Sequence, residues 1–162
     1  MKKLFIILTT ILIIFSSGCE KSSKNSTTSK EEKIYDSYIE KMNSRKEFEE
    51  TTDDFNIKLI TNKLKAKKVR YDIVIDSPKI EMLDIQAIAM VNGSNDENYP
   101  SIGILESNKY SLKPGVIDKA NNIYKGVNLS GITKEANISI ILFIKYTSNN
   151  KSFERYFKLN AN

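Results

Sequence analysis

The sequence predicts a mainly β protein, an antiparallel β-sandwich of six to seven strands preceded by one amphipathic α-helix. Three observations support this prediction. Apolar residues recur at helical spacing within residues 31–50, and the apolar period changes to two after Asp54. Turn residues then interrupt the alternation about every 8 to 15 residues, which is the spacing expected for the short strands of a sandwich.

The first 18 residues have the pattern of a signal peptide. Lys2 and Lys3 give a positive start, Leu4–Phe15 is largely apolar, and Ser16–Gly18 are small. The apolar run is shorter than the roughly 20 residues that a membrane-spanning helix needs. We therefore expect residues 1–18 to be removed rather than to span the membrane.

The residues around the expected cleavage point resemble a known motif. Ser16-Ser17-Gly18-Cys19 resembles the lipobox of bacterial lipoproteins, with Ser16 where leucine is usual. The resemblance implies that Cys19 receives a diacylglycerol, and two acyl chains anchor a protein stably. Cys19 is the only cysteine and cannot pair within the chain. We expect a lipid-anchored protein on the extracytoplasmic face of the cell membrane; the alternative is an ordinary signal peptide with a chance cysteine.

Residues 19–30 are predicted to be the lipidated cysteine and a flexible tether. Residues 20–30 include no apolar side chain, so they cannot bury enough surface to offset the entropy of ordering. A chain of this length spans about 20 Å on average. Loss of Lys2 and Lys3 with the leader lowers the formal charge from +5 to a mildly basic +3.

The amphipathic helix is predicted over residues 31–50. Ser29 and Glu32 have the spacing of a capping box, which satisfies backbone N–H groups at a helix start. Ile34, Tyr38 and Met42 recur every four residues and form an apolar stripe. Packing on the β domain is the favoured interpretation of this stripe, and a partner-binding or membrane-lying helix is the alternative. The mixed charge of the opposite face disfavours a membrane-lying helix, which prefers Lys and Arg there.

The β-sandwich is predicted over residues 55–162. Alternating segments begin at Val69, Ile85, Ile102, Tyr110, Ile123, Ile138 and Phe153, and turns are expected at Ser77-Pro78, Asn92-Gly93, Pro114-Gly115 and Ser130-Gly131. Apolar Ile141 and Phe143 indicate that the strand from Ile138 is central and covered on both sides. It forms a hairpin with the last strand. The arrangement resembles, in architecture only, the immunoglobulin-like sandwich domains of Gram-positive lipoproteins.

Composition narrows the possible chemistry. The chain has no histidine, and its single cysteine is the expected lipid acceptor. The usual general base, histidine-dependent triads and thiol chemistry are therefore excluded. No glycine-rich phosphate loop is present. We expect a protein that is not an enzyme and needs no cofactor or metal, although carboxylate pairs or Ser-Lys chemistry remain open to it.

One basic segment stands out as a candidate contact site. Its five cationic residues are Lys63, Lys65, Lys67, Lys68 and Arg70. Outside the cell the anionic partners are lipid headgroups and wall polymers rather than nucleic acid, and each Lys or Arg near such a surface contributes about 1 kcal/mol. The interpretation that we favour is an edge strand that lysines protect from pairing with other sheets, and contact with an anionic surface is the alternative.

Two further features have ordinary structural interpretations that we favour. The loop 92–98 is rich in the oxygen donors that calcium uses, as is Asp53-Asp54, but such residues are also common in plain turns. Tyr99, Tyr110 and Tyr124 lie near predicted turns, where aromatic side chains either bind ligands or border the core.

The sequence as a whole favours a binding or structural module for an envelope protein or a wall polymer. The alternatives are a small-ligand-binding lipoprotein and, less favoured, a carboxylate-based hydrolase.

Overall fold

The computed structural model describes residues 29–94, 98–135 and 137–161 and confirms a mainly β sandwich preceded by one helix. This part of the chain contains one α-helix, nine strands and a short 3-10 helix. Their bounds are α1 (Lys30–Ser44), β1 (Asn56–Lys63), β2 (Val69–Asp76), β3 (Leu83–Val91), β4 (Ser101–Ile102), β5 (Ser111–Leu112), the 3-10 helix Lys119–Asn121, β6 (Ile123–Tyr124), β7 (Gly126–Thr133), β8 (Ser139–Ser148) and β9 (Lys151–Asn160).

Seven of the strands form two antiparallel sheets. One sheet has the order β1-β2-β7 and the other has the order β4-β3-β8-β9. The chain changes sheet between β2 and β3, again between β4 and β7, and again between β7 and β8. Two antiparallel sheets that pack face to face and exchange strands in this way form a β-sandwich. The remaining strands, β5 and β6, form a small parallel pair.

The main core lies between the two sheets. It is built from alternate residues of β2, β3, β7 and β8, which include Ile73, Ile75, Ala87, Ala89, Leu129, Ile140, Leu142 and Ile144. The strand predicted to be central is β8, which lies between β3 and β9. Its second face is also buried, because Ile141 and Phe143 point toward α1. The prediction that this strand is covered on both sides is confirmed.

Helix α1 packs on the outer face of the four-stranded sheet, as the favoured interpretation of its apolar stripe proposed. Tyr35, Tyr38 and Met42 are buried there. The Tyr38 ring lies 4.4 Å from the Phe143 ring, centroid to centroid, and its hydroxyl donates to Gln86 Oε1 at 2.7 Å. The capping box between Ser29 and Glu32 is also present.

The helix is shorter than the sequence indicated. It ends at Ser44, whereas the apolar stripe predicted an end near residue 50. The following segment runs extended beside β9, where the Glu49 N–H donates to the Tyr156 carbonyl and the Glu49 carbonyl accepts from the Lys158 N–H. These bonds to a strand more than 100 residues away replace the helical ones.

The turn expected at Ser130-Gly131 does not exist. Strand β7 continues through both residues to Thr133. Gly131 lies directly opposite Tyr71 of β2, and a Cβ atom at Gly131 would collide with the tyrosine ring. The glycine therefore serves a close approach between two strands rather than a change of chain direction.

Candidate functional site

The basic segment lies at the tip of the β1–β2 hairpin. Lys63 is the last residue of β1 and pairs with Val69, the first residue of β2. The Leu64 N–H donates to the Lys68 carbonyl at 2.8 Å and closes the connection. Ala66 and Lys67 have φ values of 60° and 56°. Two consecutive left-handed residues characterise the hairpin turn whose twist matches that of the flanking strands.

The residues of this turn are unusual for its backbone. A left-handed conformation costs an L-residue roughly 1–2 kcal/mol, which is why asparagine and glycine dominate such turns. The β8–β9 hairpin follows this preference, with Asn149 and Asn150 at φ values of 48° and 59°. The β1–β2 hairpin instead has alanine and lysine. Its tip therefore displays a lysine at a position where the backbone favours a smaller residue.

Four lysines at this tip have no compensating charge among the residues that the structure describes. Lys63, Lys65, Lys67 and Lys68 are exposed, and no carboxylate of the described residues lies within salt-bridge distance of them. Lys134 extends the group, because the neighbouring strand β7 pairs Thr133 with Val69 and then leads into Lys134 at the same end of the sheet. We call Lys63, Lys65, Lys67, Lys68 and Lys134 the basic tip.

Arg70 belongs to a different environment. Its guanidinium group donates two hydrogen bonds to the Asp72 carboxylate, with Nε 3.0 Å from Oδ2 and Nη2 2.9 Å from Oδ1. Asp72 also accepts hydrogen bonds from the Ser130 hydroxyl and the Asn128 amide. The hydrogen bond from Arg70, followed by that from Ser130, lowers the pKa of the Asp72 carboxyl group. The charge of Arg70 is thus compensated on the outer face of the three-stranded sheet, whereas the lysine charges are not.

The edge-strand interpretation of the basic segment agrees with the topology as well. Strand β1 is the outermost strand of its sheet, and both Lys58 and Lys63 lie on it. Lys58 pairs with Asp76 of β2 at 3.3 Å. The two interpretations of the segment are therefore compatible, because the lysines of β1 protect an edge while the turn presents further lysines to the solvent.

The acidic pair Asp53-Asp54 has a structural role through its second member. Asp54 Oδ2 accepts hydrogen bonds from the Tyr146 hydroxyl and from Arg155 Nη2, both at 2.8 Å. Arg155 Nη1 also binds Glu49 Oε2 at 2.9 Å. Burial, together with the hydrogen bond to Asp54, raises the pKa of Tyr146 to about 12. These contacts fasten the segment between α1 and β1 to β8 and β9.

The loop 92–98, for which calcium binding was the less favoured interpretation, is described only in part, since residues 95–97 lie outside the described residues. Within the described ranges, no three His, Cys, Asp or Glu side chains are grouped so that they could hold a metal ion. The three tyrosines border hydrophobic clusters. Tyr99 packs against the hydrophobic cluster under α1. Tyr110 and Tyr124 pack against each other beside the main core, with their ring centroids 5.5 Å apart.

An open depression of about 650 Å³ lies beside the start of α1. Its charged lining is acidic, and comprises Glu31, Glu32, Asp36 and Glu106. Exposed Leu105 is its main apolar side chain. The depression and the basic tip therefore present charges of opposite sign.

No protein-family model, no curated protein and no solved structure matches this chain. Cys19 and the leader lie outside the described residues. Helix α1, the single α-helix of the described ranges, is neither long nor apolar enough to cross a membrane.

Proposed function

We propose that this protein is a lipid-anchored binding module on the extracytoplasmic face of the cell membrane, and that its basic tip contacts an anionic polymer of the cell wall. The observation that carries this proposal is the group of uncompensated lysines on the strained β1–β2 turn. The signal-peptide pattern of residues 1–18 and the lipobox-like sequence ending at Cys19 support the anchored location.

The expected affinity of the isolated tip is low. Five lysines at about 1 kcal/mol each correspond to a dissociation constant of roughly 0.2 mM. A tether that holds the domain near its ligand raises the effective concentration to about the millimolar range. The contact is therefore weak for a free domain and substantial for an anchored one, which gives the lipid a direct function.

The contact is tested with a chain that starts at residue 20, so that no lipid contributes to retention. Co-sedimentation with purified cell wall is measured across a series of salt concentrations. We expect binding that decreases steeply with salt, because the attraction is screened. Replacing Lys65→Gln and Lys67→Gln together should weaken binding about 10- to 30-fold, the value for two lost contacts.

A matched pair of substitutions controls for net charge. Lys119 and Lys151 are exposed and lie outside the basic tip. The Lys119→Gln and Lys151→Gln variant should bind as the unmodified chain does. Equal losses in both variants would show that net charge rather than the tip is responsible. Binding to vesicles of anionic phospholipid with none to the wall would assign the tip to the membrane surface instead.

The anchor is tested separately by Cys19→Ala in the full chain. We expect this variant to leave the membrane fraction of cells, since the diacylglycerol acceptor is lost. Firm retention of the variant in the membrane would exclude lipid on Cys19 as the anchor, whatever the basic tip binds.

A further inference from the structure

Strand β7 is a long sheet edge without charge. It pairs with β2 on one side and is the last strand in the order β1-β2-β7. On its other side no backbone hydrogen bonds join it to any described residue. All eight residues of Gly126–Thr133 are uncharged. An unpaired, uncharged edge of this length is a template for another strand.

The other edges of the two sheets are protected. Strand β1 has Lys58 and Lys63, and β4 is only two residues long. Strand β9 carries several charged residues, and Glu49 pairs with its residue Phe157. Charges, short length and cover by a neighbouring segment are the usual ways to prevent pairing at a sheet edge. Among these edges β7 is the one that lacks all three.

We infer that β7 pairs antiparallel with β7 of a second copy of this chain, with Ser130 opposite Ser130 on the two-fold axis. The register follows from the charges that flank the strand. Lys125 and Glu135 are both exposed, and neither has a salt bridge within the part that the structure describes. With Ser130 on the axis, Lys125 of each copy lies opposite Glu135 of the other.

In registers that are shifted by one or two residues, Lys125 of one copy no longer lies opposite Glu135 of the other. A shift of two residues in one direction places Lys125 opposite Thr133, and a shift in the other direction places Glu135 opposite Val127. Shifts of one residue would pair the inner face of one sheet with the outer face of the other. The register centred on Ser130 is therefore the one that keeps the faces matched and pairs both charges.

The proposed pairing joins the two three-stranded sheets into one continuous six-stranded sheet. Identical edges meet across a two-fold axis, which makes a closed dimer rather than an open chain of molecules. Leu129 of one copy lies opposite Gly131 of the other. Ile132, whose side chain is 58 % exposed, acquires Asn128 of the second copy as its neighbour.

The register is tested by cysteine crosslinking of the full chain in intact cells. Directly opposed residues of an antiparallel pair have Cα atoms about 4.5–5.5 Å apart, a distance that a disulfide spans. Ser130→Cys should therefore give a disulfide-linked dimer after mild oxidation, well above the background of the unmodified chain. Asn128→Cys should not, because its copies would lie roughly 13 Å apart. Ile60→Cys, exposed on the other edge of the same sheet, is the matched control and should not crosslink either.

Absence of the Ser130→Cys dimer, or equal crosslinking of all three variants, would overturn the proposal. A second measurement avoids any substitution inside the strand. The proposed dimer contains two Lys125–Glu135 attractions, one on each side of the two-fold axis. Lys125→Glu and Glu135→Lys each turn both attractions into repulsions, so each should weaken dimerisation of the purified full chain about ten-fold. The double variant Lys125→Glu/Glu135→Lys should restore it, as measured by sedimentation equilibrium in detergent. A double variant as weak as the single ones, or an unmodified chain that stays monomeric, would contradict the pairing.

Discussion

Replacing Ala66 by glycine should stabilise the protein, although glycine normally destabilises it. At an ordinary exposed position, Ala→Gly costs roughly 0.5–1 kcal/mol because glycine loses more backbone entropy on folding. At φ 60° alanine itself costs roughly 1–2 kcal/mol, a cost that glycine does not have. The difference is a stabilisation of about 0.5–1 kcal/mol for Ala66→Gly. No charge changes, so binding by the basic tip is not altered directly.

The assay is urea denaturation of the folded chain, with the midpoint and the slope both fitted. The matched control is Ala120→Gly, because Ala120 is exposed in the 3-10 helix and is not among the residues with positive φ. We expect the midpoint to rise for Ala66→Gly and to fall for Ala120→Gly. If both midpoints fell by the same amount, the β1–β2 turn would not hold Ala66 in the left-handed conformation, and the argument from strain would fail.

Two further predictions concern the helix and the buried tyrosine. Met42 lies between α1 and the sheet and is only 1 % exposed, so Met42→Ala should lower the free energy of unfolding by about 2–5 kcal/mol. Glu40 is exposed on the same helix, and Glu40→Ala should change the free energy of unfolding by less than about 0.5 kcal/mol. Equal values for the two variants would show that α1 is not docked. Because the pKa of Tyr146 rises from 10.0 to about 12 on folding, the unfolded chain loses this proton first, so its contribution is complete below pH 10 and is lost as the pH rises toward 12. Tyr146→Phe should therefore reduce the decline in unfolding free energy between pH 9 and pH 11, and an unchanged decline would contradict a protonated Tyr146 at Asp54.

Local patterns in the sequence were sufficient for most of the fold. The capping box at Ser29 and Glu32 identified the start of α1, because capping involves residues only three apart. Alternation over 138–146, with apolar residues on the second face, identified the central strand. The short Asn-rich loop indicated the β8–β9 hairpin, since asparagine tolerates the left-handed conformation of its turn.

The candidate site was only partly visible in the sequence. The five cationic residues from Lys63 to Arg70 appeared equivalent along the chain, although Asp72 lies two residues after Arg70 on the same face of β2. Only the sheet register adds Ser130 of β7 as a second partner of Asp72. Lys134 was not recognised as part of the group, because it lies about 70 residues further along. A signal for it exists only in the pairing of β7 with β2.

The sequence by itself determined the secondary-structure periods and most of the turns, because each of these depends on residue type and short-range spacing. The tertiary structure alone decided where α1 ends, why β7 passes through Gly131, which cations remain uncompensated and which edge is left open. Those four properties depend on hydrogen bonds, collisions and charges between residues far apart in the chain. The end of α1 depends on β9, Gly131 depends on the Tyr71 ring, and the open edge of β7 depends on the order of the strands.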